Sequence, residues 1–419
     1  MGGMRDRDLY ARILGITSPW SVKDVELDLK ADEVRVIVEV APDAKLTCPT
    51  CGKVCGRYDR RERRWRHLDT CQLKTILVAD LPRVSCEEHG VLQMQVPWAE
   101  PGSGFTALFE ALVIDWLKEA SILAVSRRLR LSWDEADGVM SRAVARGLAR
   151  REASAPTRIG VDETSFQKRH EYVTVVTDQE TGRVVEVGQD RKQDTLETYF
   201  KTLTSEQRAA IEHVAMDMWK PYIAAVRALV PGADEKIAFD KFHVASHLGE
   251  GVDRVRRGEH RDLLAEGDTT LSKTKHLWLA NPKNMKRERW RAFAELRVSA
   301  LKTARAWALK ETAMGLWRFT SRTWAAKAWK TWLAWAQRCR LVPMRKVAAM
   351  IRQHLWGILN AVTSGVTNAL GESINAKIQW IKRTACGFRN RERFRNAIFF
   401  HLGGLDLYPA NLQATHPTS

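Results

Sequence analysis

Three carboxylates stand out for what they could do together: Asp162, Asp217 and Glu372. Asp162 closes an apolar, strand-like run in TRIGVDETSF (157–166), and Asp217 closes a second in IEHVAMDMWKPY. Glu372 lies in TNALGESINAKIQWIKR, a helical pattern. Two strand ends and a helix can bring three hard oxygen donors to one point, which suits magnesium or manganese and leaves coordination positions for water and phosphate. Two such ions about 4 Å apart are the usual means of in-line phosphodiester chemistry, one activating the nucleophile and the other stabilising the leaving 3′-oxygen. Singly, an Asp at a strand end is usually a cap or turn residue, and a helix Glu is usually solvated. Only the set points to chemistry.

A second constellation is built from soft ligands. CPTC supplies Cys48 and Cys51, and CEEH, beginning 35 positions after Cys51, supplies Cys86 and His89. Paired ligands on two tight turns suit tetrahedral zinc. The intervening length predicts a zinc ribbon with strands in RRWRHLD and LKTILVADLPRVS. Cys55 and Cys71 are spare, and either could replace His89 as fourth ligand. Seven cysteines, five of them between 48 and 86, argue for metal rather than a disulfide framework.

The elements that must position these groups follow from periodicity. Residues 22–40 alternate apolar and polar as half-buried strands do, and 1–100 are expected to hold this strand region and the zinc module. From Thr106 the pattern turns helical, with Ser132 and Glu135 in a capping-box spacing. Helices over 101–152 predict a helix-turn-helix whose last helix carries Arg142 and Arg146. After Pro156, strands RIGVD, HEYVTVVTD and GRVVEVGQ precede helix-alternating strands ending IEHVAMD and KIAFD. That order predicts the mixed sheet of a ribonuclease H-like core over 157–250. Residues 251–362 read as an all-α insertion carrying most of the 16 tryptophans. Residues 363–405 return to the core as the Glu372 helix and a basic helix, and 406–419 form a tail. In the Glu372 helix, Val366, Leu370, Ile374, Ile378 and Ile381 make one apolar face, with Asn368, Glu372, Asn375, Gln379 and Arg383 on a roughly opposite polar stripe. The fold class is therefore multidomain α/β.

Lys and Arg outnumber Asp and Glu by 67 to 50 in 419 residues, a formal charge of +17. Such a surplus favours a polyanionic partner. Arg61, Arg63 and Arg64 in the zinc module, Arg142 and Arg146, and Lys382, Arg383, Arg389 and Arg391 are the candidate phosphate contacts. No secretory signal or membrane span is recognisable, so a soluble, intracellular protein is expected. Trp317, Trp324, Trp329, Trp332 and Trp335 read as packing of the helical insertion, or, for one or two of them, as stacking partners for an unpaired base.

Over almost its full length the sequence resembles the ISL-three family of bacterial insertion-sequence DDE transposases. The carriers are CPTC with CEEHG, the helix-turn-helix, GVDETSF, AMDMWKPY, DKFHV, and NALGESINAKIQWIKRTACGFRNRERF with FFHLGG. The resemblance implies that Asp162, Asp217 and Glu372 are the catalytic triad, and that Asp240 and His243 form a supporting D-x-x-H pair. It implies a zinc-binding N-terminus, double-stranded DNA partners (terminal inverted repeats and target), and cut-and-paste movement in the bacterial cytoplasm at the nucleoid. Cutting two ends together calls for a homodimer or higher homo-oligomer. Glu372 follows Asp217 by 155 positions, which fits an insertion before it. The main alternative is a non-catalytic zinc and helix-turn-helix regulator derived from such an enzyme; a nuclease of the same fold and a Tyr or Ser recombinase are further rivals.

Overall fold

The computed structural model describes residues 5–152, 155–167, 171–365 and 369–410, with the side chains of Ala369 and Glu372 excepted. Val366 and Asn368 lie outside the described residues. The chain divides into two compact units. One runs to Glu152 and includes the segment from Phe399 onward; the other runs from Ala153 to Ile398.

In the first unit α1 (Asp6–Ile13) precedes β1 (Trp20–Asp28) and β2 (Glu33–Val40), the strand pair expected from the alternation over 22–40. Val34, Val36, Val38 and Val40 are buried on one face of β2, as a period of two requires. A long hairpin, β3 (Gly56–Thr70) and β4 (Leu73–Cys86), and a short β5 (Gly90–Gln93) complete a sheet of order β1-β2-β4-β3, with β5 on β4. The hairpin turns at Cys71 and Gln72, both at positive φ, which matches the right-handed twist of the strands. Trp20 and Trp65 pack edge-on against Trp98 to close the core.

Three helices follow: α2 (Ala107–Glu119), α3 (Ile122–Leu129) and α4 (Trp133–Arg150). Thr106, Ser121 and Ser132 cap them, and Ser132 forms the full capping box with Glu135. The arginines of α4 do not sit where the sequence predicts. Glu110 on α2 is only 1% exposed in its side chain, and a buried carboxylate must be paired. Arg142 reaches it at 2.6 Å and Arg146 at 3.0 Å, and Ser103 Oγ donates to it at 2.8 Å. Arg146, 7% exposed, also pairs with Glu100 and donates to the carbonyl of Leu407 at 2.5 Å. The spacing that puts Met140, Ala143 and Gly147 on the buried stripe puts Arg146 there too. Leu405 closes over Gly147, where an added Cβ would lie 2.6 Å from the leucine Cβ, and Arg150 pairs with Asp406.

The second unit begins with β6 (Arg158–Gln167), β7 (Glu171–Asp178) and β8 (Arg183–Gly188), an antiparallel meander. Then come α5 (Gln193–Thr202), α6 (Ser205–Ala210), β9 (His213–Met216), α7 (Lys220–Leu229), α8 (Ala233–Lys236) and β10 (Ile237–Phe239). The sheet order is β10-β9-β6-β7-β8, with β9 parallel to both β6 and β10. This is the mixed sheet that the pattern predicts.

Helices α9 (Lys241–Ala265), α10 (Lys275–Leu279), α11 (Arg287–Val298), α12 (Lys302–Gly315), α13 (Arg322–Arg338), α14 (Val342–Gln353) and α15 (Leu355–Ser364) fill the next stretch, with no strand among the described residues. Their aromatic core stacks edge to face, Trp278 on Phe293 at 4.8 Å and Phe293 on Trp307 at 5.2 Å. Trp329 and Trp332 are buried, whereas Trp324 is 61% and Trp335 40% exposed, so the tryptophans divide between core and surface. Buried Glu259 on α9 accepts from the amides of Lys302 and Thr303, capping α12 from a neighbouring helix. The stretch returns to the sheet through α15: Gly357 lies against the Phe239 ring of β10, leaving no room for a Cβ. Asn360 donates to the carbonyls of Asp234 and Ile237 at 2.8 Å. Finally α16 (Ala369–Thr384) lies on β6 and leads to α17 (Arg391–Leu402). Ile374, Ile378 and Ile381 are buried, as the apolar face of α16 predicts.

Candidate functional site

The strand register brings the aspartates together. Gly160 of β6 is level with Ala215 of β9, so Asp162 and Asp217 both stand two residues beyond that pair. Phe239 of β10 is level with Met216, so Asp240 and Asp217 both stand one residue beyond. Three adjacent strands thus present Asp162, Asp217 and Asp240 at one level of the sheet, at the carboxyl ends of β9 and β10, where α/β sheets commonly place their sites.

Each carboxylate is held locally. Asp162 Oδ1 accepts from the amide of Glu163 at 2.7 Å, and Asp217 Oδ1 accepts from the amide of Met218 at 2.6 Å. Asp240 caps α9 by accepting from the amide of Phe242. One turn into that helix, His243 lies between two aspartates, its Nδ1 3.8 Å from Asp217 and its Nε2 3.9 Å from Asp240. The D-x-x-H spacing is therefore a helix start that turns an imidazole back over its own cap.

Helix α16 lies on β6 with Asn375, Gln379 and Lys382 turned to the strand. Asn375 Nδ2 donates to Asp162 Oδ2 at 2.7 Å, Gln379 to Thr164 at 3.0 Å, and Lys382 to the Ser165 carbonyl at 2.6 Å. Glu372 belongs to α16, but its side chain lies outside the described residues. Lys382, expected to face phosphate, is engaged with β6, and its partial burial pulls its pKa down. Arg391 pairs with Glu171 at 3.1 Å, while Arg383 and Arg389 are exposed. On the edge strand β3, Arg61 and Arg64 are exposed and Arg63 is half-buried.

Burial raises the Asp162 carboxyl above its ordinary range, and the charge of Asp240 adds to the effect. Among the described residues no lysine or arginine forms an ion pair with Asp162 or Asp217. Partly buried acidic oxygens converging without a cationic partner suit a divalent cation with oxygen ligands. Beside them Glu163 is pushed up to about 7, first by burial, and Arg191 approaches it at 2.6 Å. Neither Arg191 nor the Asn375 contact has a signature in residue spacing; only the strand register and the pose of α16 reveal them.

The soft-ligand cluster is equally compact. Ligand atoms of Cys48, Cys51, Cys86 and His89 all lie within 4.8 Å of one another. Cys51 and Cys86 sulfurs are 3.8 Å apart, and His89 Nδ1 is 3.8 Å from Cys48 and 3.6 Å from Cys86. A tetrahedron with Zn–S bonds of about 2.3 Å has edges of about 3.8 Å, so the four atoms fit zinc. Gly52 and Gly90, each following the second ligand of its pair, take positive φ and turn the chain after the knuckle. Backbone amides of His89 and then Glu88 hold the Cys86 thiol down to about 7, favouring the ligating thiolate. Cys71 sits at the opposite end of the β3–β4 hairpin, and Cys55 stands outside the group of four.

Comparisons with known proteins agree with this layout. Residues 159–398 match the family model described as the ISL3 transposase. Residues 94–144 match the helix-turn-helix domain of transposase family ISL3, and residues 45–89 the zinc-finger of transposase IS204/IS1001/IS1096/IS1165. The chain is 30% identical over 418 residues to the transposase for insertion sequence element IS1557 of Mycobacterium tuberculosis, covering 92% of this chain and 93% of that one. It is 26% identical over 399 residues to the transposase for insertion sequence element IS1001 of Bordetella parapertussis, covering 93% and 97%. With all three segments matched in order and the likeness running almost end to end, the chain belongs to the ISL3 family of transposases.

Proposed function

We propose that the protein binds the terminal inverted repeats of its insertion sequence and carries out metal-dependent strand cleavage and strand transfer. The observation that carries this reading is the level alignment of Asp162, Asp217 and Asp240, with α16 tied onto Asp162 through Asn375. Glu372 precedes Asn375 by one helical turn, so helical periodicity assigns it to the same stripe. The sheet order supports a ribonuclease H-like description of the core.

Asp162, Asp217 and Glu372 would hold Mg2+ or Mn2+. Bound there, such ions activate a water or 3′-hydroxyl nucleophile and stabilise the departing 3′-oxygen. Asn375 and the Glu163 amide fix both oxygens of Asp162, leaving the outer lone pairs for coordination. His243 positions Asp217 against Asp240 in a supporting role. No side chain needs to form a covalent intermediate. Four ligands, Cys48, Cys51, Cys86 and His89, hold a structural zinc, and the arginines of β3 with Arg383 and Arg389 contact phosphate. Two element ends handled together call for a homodimer, working on bacterial DNA in the cytoplasm.

The deciding experiment is cleavage of a labelled element-end duplex in magnesium or manganese by wild type and Asp162→Asn. Nicking at the element boundary that vanishes in the variant supports the reading. Tight binding by both proteins with cutting by neither favours a non-catalytic regulator.

A further inference from the structure

Arg191 lies between β8 and α5, and its surroundings are unusual for a surface arginine. Its Nε is 2.6 Å from Oε2 of Glu163, yet the N–H is not aimed at the oxygen: both atoms are buried and neither makes a hydrogen bond. Aromatic rings fix the guanidinium instead. Its carbon lies 4.1 Å from the ring centroid of Trp219 and 5.5 Å from that of Tyr172. Glu163 follows Asp162 directly, and Trp219 follows Asp217 by two residues. The guanidinium is thus clamped by sequence neighbours of Asp162 and Asp217, while its side chain keeps 28% exposure.

An arginine whose task is to neutralise Glu163 would align its fork with the carboxylate, since a buried charge pair is tolerated only with good hydrogen bonding. Here two aromatic rings hold the guanidinium and its Nε donor is left unused. A planar, preorganised cation with free donors is what bidentate recognition of a phosphate requires. We propose that Arg191 is a catalytic residue that binds a non-bridging oxygen of the phosphate at the element end, and that Trp219 is a positioning residue holding it in plane. This assignment rests on reading Asp162 and Asp217 as the strand-cleavage site.

The test uses full-length protein with Arg191→Gln, Arg191→Lys and Trp219→Phe, and an element-end duplex carrying either an ordinary phosphate or a single methylphosphonate at the cut. Loss of one such donor typically costs roughly 100-fold in rate, so Arg191→Gln is expected to cut about 100-fold more slowly at saturating DNA. Arg191→Lys is expected to recover part of that loss, and Trp219→Phe, which keeps a ring, to lose less than either. Binding of the end duplex stays within about threefold of wild type, because most contacts lie elsewhere. With divalent metal left out, the methylphosphonate weakens binding to wild type by up to about threefold and has no further effect on Arg191→Gln. Wild-type cutting by Arg191→Gln, or an equal methylphosphonate penalty in both proteins, overturns the assignment. If Arg191→Gln is unfolded by circular dichroism, Arg191→Lys with the same two duplexes decides. Undiminished cutting by Asp162→Asn sinks the underlying reading instead; an inactive Asp162→Asn beside a fully active Arg191→Gln sinks only the role of Arg191.

Discussion

Asn375 and Asp162 are 213 positions apart in the chain and 2.7 Å apart in space. That hydrogen bond ties α16 to β6 at Asp162. Asn375→Ala is expected to slow strand cleavage by about 10- to 100-fold, in line with losing a group that orients a ligand. End binding measured by gel shift should be unchanged. Cleavage at the wild-type rate would show that packing of Ile374, Ile378 and Ile381 alone sets the helix.

Cys48→Ser is expected to reduce zinc content from one equivalent to none or to a loosely held fraction, read by metal analysis after dialysis. The first unit then melts at lower temperature, because binding free energy of a structural zinc is folding free energy. Cys71→Ser serves as the control and should retain its zinc, since Cys71 is at the far tip of the hairpin.

Buried His67 on β3 faces Thr106 at 2.8 Å, and burial, helped by Arg66, pulls its pKa down to about 4. In the unfolded chain it titrates near 6.5. Between those values the unfolded state binds the extra proton, so stability is lost as pH falls from 6.5 towards 4. The full difference is about 3 kcal/mol at 1.36 kcal/mol per unit. Urea midpoints of wild type and His67→Gln from pH 7 to 4.5 check it, with the acid-dependent slope smaller in the variant. Equal slopes would remove His67 as the cause.

Arg146→Ala is expected to destabilise the first unit by about 3–5 kcal/mol, because it leaves Glu110 short of a partner in the interior. The companion Arg146→Met with Glu110→Leu should recover much of that stability. If Arg146→Ala instead folds normally and loses only DNA affinity, the arginine belongs to the interface after all.

Much of this arrangement was legible beforehand for identifiable reasons. Asp217 follows the end of a parallel strand, a short apolar run closed by a polar residue, whereas β6 runs on past Asp162 to Gln167 because β7 continues to pair with it. Paired cysteine and histidine spacings announce tight turns. The buried face of α16 follows from helical periodicity alone. Arg146 was misplaced because its partner, Glu110, is 36 positions away, and nothing in α4 signals a carboxylate beneath it. Trp324 and Trp329 differ in exposure for the same reason: one sequence pattern permits either face until the neighbouring helices are in place.

The segment after Phe399 belongs to the first unit, where Leu407, Leu405 and Asp406 meet Arg146, Gly147 and Arg150 of α4. A chain interrupted before Ala369 therefore loses two things at once: the helix whose Asn375 holds Asp162, and the segment that packs on one face of α4.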